Sequence, residues 1–152
     1  YEPLVLNEAI KRYPFDSILL AVNAADVHYL SFKNYLLPEA QKRGIAIIGM
    51  KVTTRSRILS SWTPPPLEQQ SDERLRTPKP GTISIKEALT YNMSLPVSTT
   101  IIGVDSIAQI EENVKIASEF TPLSQSQMEE IELKTLPVAR QALYFRRWDL
   151  GA

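Results

Sequence analysis

The chain contains no cysteine and a single histidine among its 152 residues. Without cysteine it can form no disulfide, zinc–thiolate site or iron–sulfur ligation of its own. Its formal net charge is +0, so no electrostatic attraction to nucleic acid or to a membrane surface is implied. No apolar run approaches the roughly 20 residues that a membrane helix needs. We therefore expect neither nucleic acid nor membrane as a partner, and the absence of cysteine is typical of a cytoplasmic protein.

Features of a secretory leader are also missing. The first residues, 1–5, have neither the basic end nor the apolar centre of a signal peptide. They also lack an initiator methionine, so we interpret the chain as a piece of a longer polypeptide. Hydrophobic residues make up 43% and charged residues 22%, which is ordinary globular composition. The length is enough for one domain with a substantial core.

Three apolar runs dominate the sequence: 17–22, 45–50 and 97–102. Each is rich in Val, Ile, Leu or Ala, which is the composition of a strand that is buried on both faces of a parallel sheet. Longer segments of helical character separate these runs. The alternation predicts parallel βα units and an α/β fold.

The predicted helices have recognisable ends. Pro3 lies in the first turn of the first helix, Gly44 ends the second, and Pro38 is expected to split or kink that second helix. Three later helices begin at capping boxes, in which a serine and a Glu or Gln three residues on satisfy each other's backbone N–H groups. The boxes are Ser84/Glu87, Ser106/Gln109 and Ser124/Gln127; the helices span 2–13, 29–43, 85–93, 106–119 and 124–136.

Two segments have little regular pattern. Residues 53–81 contain five prolines and many polar residues, and a long irregular insertion of this kind is either a functional loop or a disordered surface excursion. The tail, 137–152, is rich in aromatic residues and arginine. It is interpreted either as a cover for a binding site or subunit contact, or as a helix packed on the outside.

The run that starts at Val97 is followed by Gly103 and by the capped helix. Behind the cap, the apolar residues of the helix fall on one face: Ile107, Ile110, Val114 and Ala117. A strand, a glycine turn and a helix N-terminus place free N–H groups and a positive dipole end together, which suits a phosphate group. The alternative is an ordinary strand-to-helix turn.

The amino-acid sequence of this stretch resembles that of the last strand and following helix in the aldo/keto reductase family. Ile101-Ile102-Gly103 is followed at the family's spacing by Gln109 and by Glu112-Asn113. The resemblance implies that this segment grips the adenosine and 2′-phosphate end of NADPH. Gly103 and Val104 would supply backbone N–H groups, Gln109 would face the 2′-phosphate, and Glu112 and Asn113 would meet the adenine edge. Because Gln109 is uncharged where many members carry arginine, NADH is the alternative to NADPH.

Two earlier runs resemble the sixth and seventh strands of the same family. Residues 23–28 stand where the family has N-Q-x-E-x-H, which implies a cofactor contact for Asn23 and a structural position for His28. Met50 replaces the tyrosine that stacks on nicotinamide and still offers a polarizable face. Lys51 would point from the strand end toward the cofactor phosphates; the alternative is a solvated lysine at a strand edge.

The resemblance implies part of a (β/α)8 barrel, residues 1–152 forming the C-terminal part of one domain with about three parallel strands. The family's catalytic Asp, Tyr, Lys and His lie on its first four strands, so no catalytic residue is nominated here. We expect the cofactor-binding segment of an NAD(P)H-dependent reductase of small aldehydes or ketones. Its partners would be that carbonyl substrate and the missing N-terminal half of the barrel. The alternative is a non-catalytic truncated relative that binds a nucleotide or a partner chain.

Overall fold

A three-stranded parallel sheet lies at the centre of the fold. In the computed structural model, residues 2–59 and 82–146 are described, and the elements below are those of these residues. The strands are β1, Ser17–Ala21, β2, Ala46–Met50, and β3, Thr99–Thr100, in the order β1-β2-β3. In β1 and β2, Ser17 lies opposite Ala46 and Ala21 opposite Met50. All strands therefore end at the same edge of the sheet.

The helices pack against one face of the sheet and bury the side chains that the strands direct to it. Ile18 and Leu20 of β1 and Ile47 of β2 are at most 6% exposed, and they join one hydrophobic core with the apolar faces of the helices. In chain order the helices are α1, Pro3–Arg12; α2, Phe32–Tyr35; α3, Leu37–Lys42; α4, Ile85–Ser94; α5, Ile107–Ser118; α6, Gln125–Thr135; and α7, Ala139–Ala142. A short 3₁₀ turn, Asp26–His28, lies between β1 and α2, and another, Leu136–Val138, lies between α6 and α7. The predicted α/β class with three parallel strands is confirmed.

Several predicted boundaries are refined by the structure. The second helix is divided at Leu36, with Pro38 in the first turn of α3, because proline fits a helix start but not its interior. The third predicted strand is confirmed, but it is shorter than the apolar run 97–102, since β3 covers only Thr99–Thr100. The backbone continues the pairing at both ends, however, because the N–H of Ser98 donates to Ile47 and that of Ile101 donates to Gly49.

Two of the three capping boxes form as predicted, at Ser84/Glu87 and Ser124/Gln127. The box at Ser106 is only half right. Ser106 Oγ accepts from the N–H of Gln109, but Gln109 Oε1 accepts from the N–H of Asp105 at 2.7 Å instead of from Ser106. The side chain reaches one residue further back because Ser106 has fully extended backbone, with φ of −149° and ψ of 158°.

Asn92 on α4 fastens the ends of β1 and β3. Its side chain is fully buried, its Nδ2 donates to Val22 O at 2.7 Å, and its Oδ1 accepts from Thr100 Oγ1 at 2.8 Å. β2 runs between these strands, and Gly49 passes close under the amide. A Cβ at Gly49 would lie 3.0 Å from Asn92 Oδ1 and 3.4 Å from Val22 Cγ1. The glycine is thus needed for close packing at the sheet edge where the strands end.

The substitution Gly49→Ala is expected to lower the free energy of unfolding by about 1–3 kcal/mol, because the added methyl displaces the Asn92 amide from its two hydrogen bonds. Gly103→Ala is the matched control, since a Cβ there would meet nothing within 4 Å. Thermal and urea unfolding followed by circular dichroism would compare the two. Equal loss of stability in both variants would contradict the packing argument.

Apolar surface is left open at both sides of the described sheet. Ile107, Ile110 and Val114 of α5 lie on one face as predicted, but they are 74%, 47% and 61% exposed. At the opposite side, Leu4 and Val5 of α1 are 62% and 68% exposed. Within the described residues, neither β1 nor β3 has a second neighbouring strand. No helix in the described part of the chain is long and apolar enough to cross a membrane.

Candidate functional site

A cleft of about 510 Å³ opens where β2 and β3 end. One wall is formed by the last residue of β2, Met50, and by the segment after it, which includes Lys51, Arg55 and Ser56. The other wall is the segment after β3, residues 101–105, which leads into α5. The carboxyl ends of parallel strands are the usual place for binding sites in α/β folds, because loops from neighbouring strands converge there.

The wall after β2 has an unusual backbone. Thr54, Arg55 and Ser56 have consecutive φ values of 52°, 55° and 62°, which are left-handed. Such a conformation costs about 1–2 kcal/mol for each residue that is not glycine. One full turn results, because Thr54 N–H donates to Lys51 O and Arg57 N–H donates to Thr54 O. Strain of this kind persists at functional sites when the surrounding structure holds it in place.

Four of the residues that line the cleft carry backbone N–H donors without an acceptor in the described part of the chain. The backbone N–H groups of Arg55 and Ser56 bond to no acceptor among the described residues, and the same holds for those of Gly103 and Val104. Lys51 and Arg55 form no ion pair with a carboxylate in the described part of the chain. Asp105 supplies the single carboxylate among the described lining residues. Several N–H donors and two cations against one carboxylate suit a phosphate-bearing anion.

Four of the eight predicted site residues meet in this cleft: Met50, Lys51, Gly103 and Val104. Met50 also lines a second cleft of about 380 Å³, on the side of the sheet near Leu19 and α1. It thus lies between the N–H donors and cations of the first cleft and the open side of β1. That position is compatible with the predicted contact to a nicotinamide ring, which stays a prediction.

Asn23 is placed differently from its predicted neighbours. It is fully buried just after β1, its Oδ1 accepts from Ala25 N–H at 2.9 Å, and its Nδ2 donates to Lys51 O at 3.2 Å. Its side chain therefore fixes the left-handed residue Lys51, whose φ is 61°, at the entrance to the turn. The predicted cofactor contact of Asn23 itself stays a prediction.

The three predicted residues on α5 do not line the cleft. Gln109 is turned back to Asp105, as described above, and Asn113 is half-buried one turn further on. Glu112 borders a separate groove between α4 and α5, together with Lys86 and Lys115. Their predicted contacts with the 2′-phosphate and the adenine are neither made nor excluded by these positions, and they stay predictions.

The imidazole of His28 and the phenol of Tyr91 could in principle act as acids or bases, but both are hydrogen-bonded to the neighbouring helix α6. His28 Nε2 lies 2.9 Å from Glu132 O and 3.1 Å from Thr135 Oγ1. Tyr91 is fully buried, and its hydroxyl donates to Glu132 Oε1 at 2.6 Å. The same carboxylate oxygen forms an ion pair with Lys33. Burial and the Glu132 carboxylate raise the pKa of Tyr91 far above its usual range, so the phenol remains a hydrogen-bond donor.

The sequence interpretation missed Arg55 and Ser56, because they lie within residues 53–81, which were read only as a proline-rich loop. Residues 60–81 of that loop lie outside the described residues. A basic and a hydroxyl residue five and six positions after the end of a parallel strand could have marked the site. It missed Asp26 and Arg146 for another reason. They form a buried ion pair at 2.6 Å although 120 positions separate them.

Comparison with known proteins places this fold in a structural class. No family model and no curated protein sequence matches the chain. Among solved structures, the chain has the fold of part of an aldo-keto reductase barrel, as the sequence resemblance implied.

Two of the similar structures are those of aldo-keto reductase AKR11C1 from Bacillus halodurans. Its holo form is 24% identical with a TM-score of 0.60, and the match covers 88% of this chain and 47% of that one. Its apo form is 23% identical with a TM-score of 0.59, covering 88% and 48%. The chain therefore spans about half the length of the barrels that it matches, and the likeness concerns the fold.

Proposed function

We propose that this chain is the cofactor-binding C-terminal segment of an NAD(P)H-dependent aldo/keto reductase. The observation that carries the proposal is the cleft at the ends of β2 and β3, which is lined by Lys51, Arg55 and residues whose backbone N–H groups have no acceptor in the described part of the chain. The chain that carries this cleft has the fold of about half of an aldo-keto reductase barrel, and one of the similar structures is described as a holo form. NADPH is the proposed cofactor and NADH the alternative.

The donor set of the cleft fits the diphosphate of a dinucleotide. The N–H groups of Arg55, Ser56, Gly103 and Val104 would donate to phosphate oxygens, and the Lys51 ammonium and Arg55 guanidinium would balance their charge. The bound nicotinamide would supply hydride to a small aldehyde or ketone. The residues of this chain would bind and orient the cofactor, and the groups that protonate the carbonyl oxygen would come from elsewhere in the barrel.

The missing strands of that barrel are the proposed partner of the open sheet. The apolar residues of α5 and α1 lie exposed at its two sides, next to strands with no second neighbour among the described residues. Unpaired parallel edges and exposed apolar helix faces are stabilised when further β/α units complete the barrel. The partner is therefore expected to add strands beside both β1 and β3, whether it belongs to the same polypeptide or to another.

The alternative function is a truncated relative that binds a nucleotide, or only a partner chain, without turnover. It is favoured by the positions of Tyr91 and His28, because both side chains are held in contacts with Glu132 and line no part of the cleft. The predicted cytoplasmic location is untested under either function.

The first test is to determine the mass of the natural polypeptide and to titrate it with NADPH and NADH by fluorescence. A polypeptide about twice this length that binds NADPH and reduces a small aldehyde would support the reductase. Nucleotide binding without turnover would favour the truncated relative. A natural product of this length that binds neither nucleotide would refute cofactor binding and leave the partner-binding alternative.

A further inference from the structure

The ring of Tyr144, close to the end of the described tail, lies beside the left-handed turn at the cleft. The guanidinium carbon of Arg57 is 4.6 Å from the ring centroid, and that of Arg55 is 5.6 Å away. Both distances are within the roughly 6 Å at which an aromatic face attracts a cation. The tail therefore contacts the segment after β2 through the ring of Tyr144, which lies against the two arginine side chains of that segment.

The two arginines differ in what they can reach. Arg57 is buried, whereas Arg55 is exposed and lines the cleft. Burial lowers the pKa of the Arg57 guanidinium. The positive charge of Arg55 lowers this pKa further, because the two cations repel each other. The negative face of the Tyr144 ring offsets part of that repulsion. Without the ring, the exposed Arg55 guanidinium would lose the attraction that holds it beside the cleft wall.

Tyr144 is itself held firmly in place by its neighbours in the chain. Leu143 is fully buried, and Arg146 forms an ion pair with Asp26 in which both side chains are completely inaccessible to solvent. The ring of Phe145 packs edge-on against that of Tyr144, with 5.4 Å between the centroids. The ring is thus fixed relative to the segment that follows β1, and through it relative to the sheet edge.

We propose that Tyr144 is a positioning residue for nucleotide binding: its ring holds the Arg55 guanidinium at the cleft, where it meets a phosphate group of the cofactor. This inference rests on the proposed function, because it assigns a role in the same cleft. It makes the tail part of the binding machinery without any direct contact between Tyr144 and the cofactor.

A double-mutant cycle on the complete natural polypeptide tests the inference, with the dissociation constant of NADPH as the readout. Tyr144→Leu is expected to weaken binding about fivefold, and Arg55→Ala about tenfold. If Tyr144 acts through Arg55, the double variant binds no more weakly than Arg55→Ala alone. Tyr144→Phe, which keeps the ring, is expected to bind as the unmodified protein does.

Three results would overturn the inference: unchanged binding in Tyr144→Leu, multiplied losses in the double variant, or an equal loss in Tyr144→Phe. Should Tyr144→Leu fail to give the native circular dichroism spectrum, fluorinated phenylalanines at this position weaken the negative ring face while keeping its shape. Affinity should then fall as fluorination increases, and a constant affinity would overturn the inference. If the unmodified protein binds no nucleotide, the proposed function fails as well, which distinguishes the two failures.

Discussion

Replacing Arg146 by methionine is expected to lower the free energy of unfolding by about 3–5 kcal/mol. Arg146 and Asp26 are fully buried and 2.6 Å apart. Burial raises the pKa of the Asp26 carboxyl and lowers that of Arg146, because each charge is costly away from water. Removing the arginine leaves an uncompensated carboxylate in the core. Thermal and urea unfolding of the complete natural polypeptide would measure the loss.

The remaining partners of Asp26 decide how the loss can be reduced. Its oxygens also accept from Ser31 Oγ and from the N–H groups of Phe32 and Lys33. The double variant Asp26→Asn/Arg146→Met removes both charges and retains an acceptor, so it should be less destabilised than the sum of the single variants. Arg12→Met, which breaks the exposed Arg12–Glu8 pair, is the control and should change stability little. Strictly additive effects at positions 26 and 146 would contradict the ion-pair argument.

The largest expected effect on binding comes from removing both cations of the cleft. Lys51→Ala with Arg55→Ala is expected to weaken NADPH binding about a hundredfold, because each charge-assisted hydrogen bond to phosphate contributes about tenfold. The affinity of the unmodified protein should also fall as salt concentration rises, since both groups are accessible to ions. Fluorescence titration at two ionic strengths would measure both changes.

The matched control removes two positive charges at a distance from the cleft, with Arg12→Ala and Lys42→Ala on the outer helices α1 and α3. If affinity depended only on net charge, both double variants would lose it equally. We expect the control to bind nearly as the unmodified protein does. An unchanged affinity in the Lys51/Arg55 variant would remove the assigned phosphate contact, even if the protein binds NADPH by other residues.

Much of the fold was readable because its signals are local. Apolar runs predicted the positions of β1 and β2, and the serine caps at Ser84 and Ser124 predicted where α4 and α6 begin. Each of these features depends on residues at most a few positions apart. The short motif around Gly103 added the family resemblance, and the fold comparison confirms it at the level of the barrel.

The sequence alone is enough to predict the α/β class, the positions of β1 and β2, and four of the residues that meet in the cleft. The left-handed turn at residues 54–56 depends on tertiary contacts, since no glycine in the sequence marks it. Arg55 in that turn contacts the ring of Tyr144 in the tail. Tertiary structure also paired Asp26 with Arg146 and placed Tyr144 beside Arg55, contacts that join distant parts of the chain. It likewise left the apolar face of α5 exposed, because periodicity shows which residues share a helix face but not whether another element covers it.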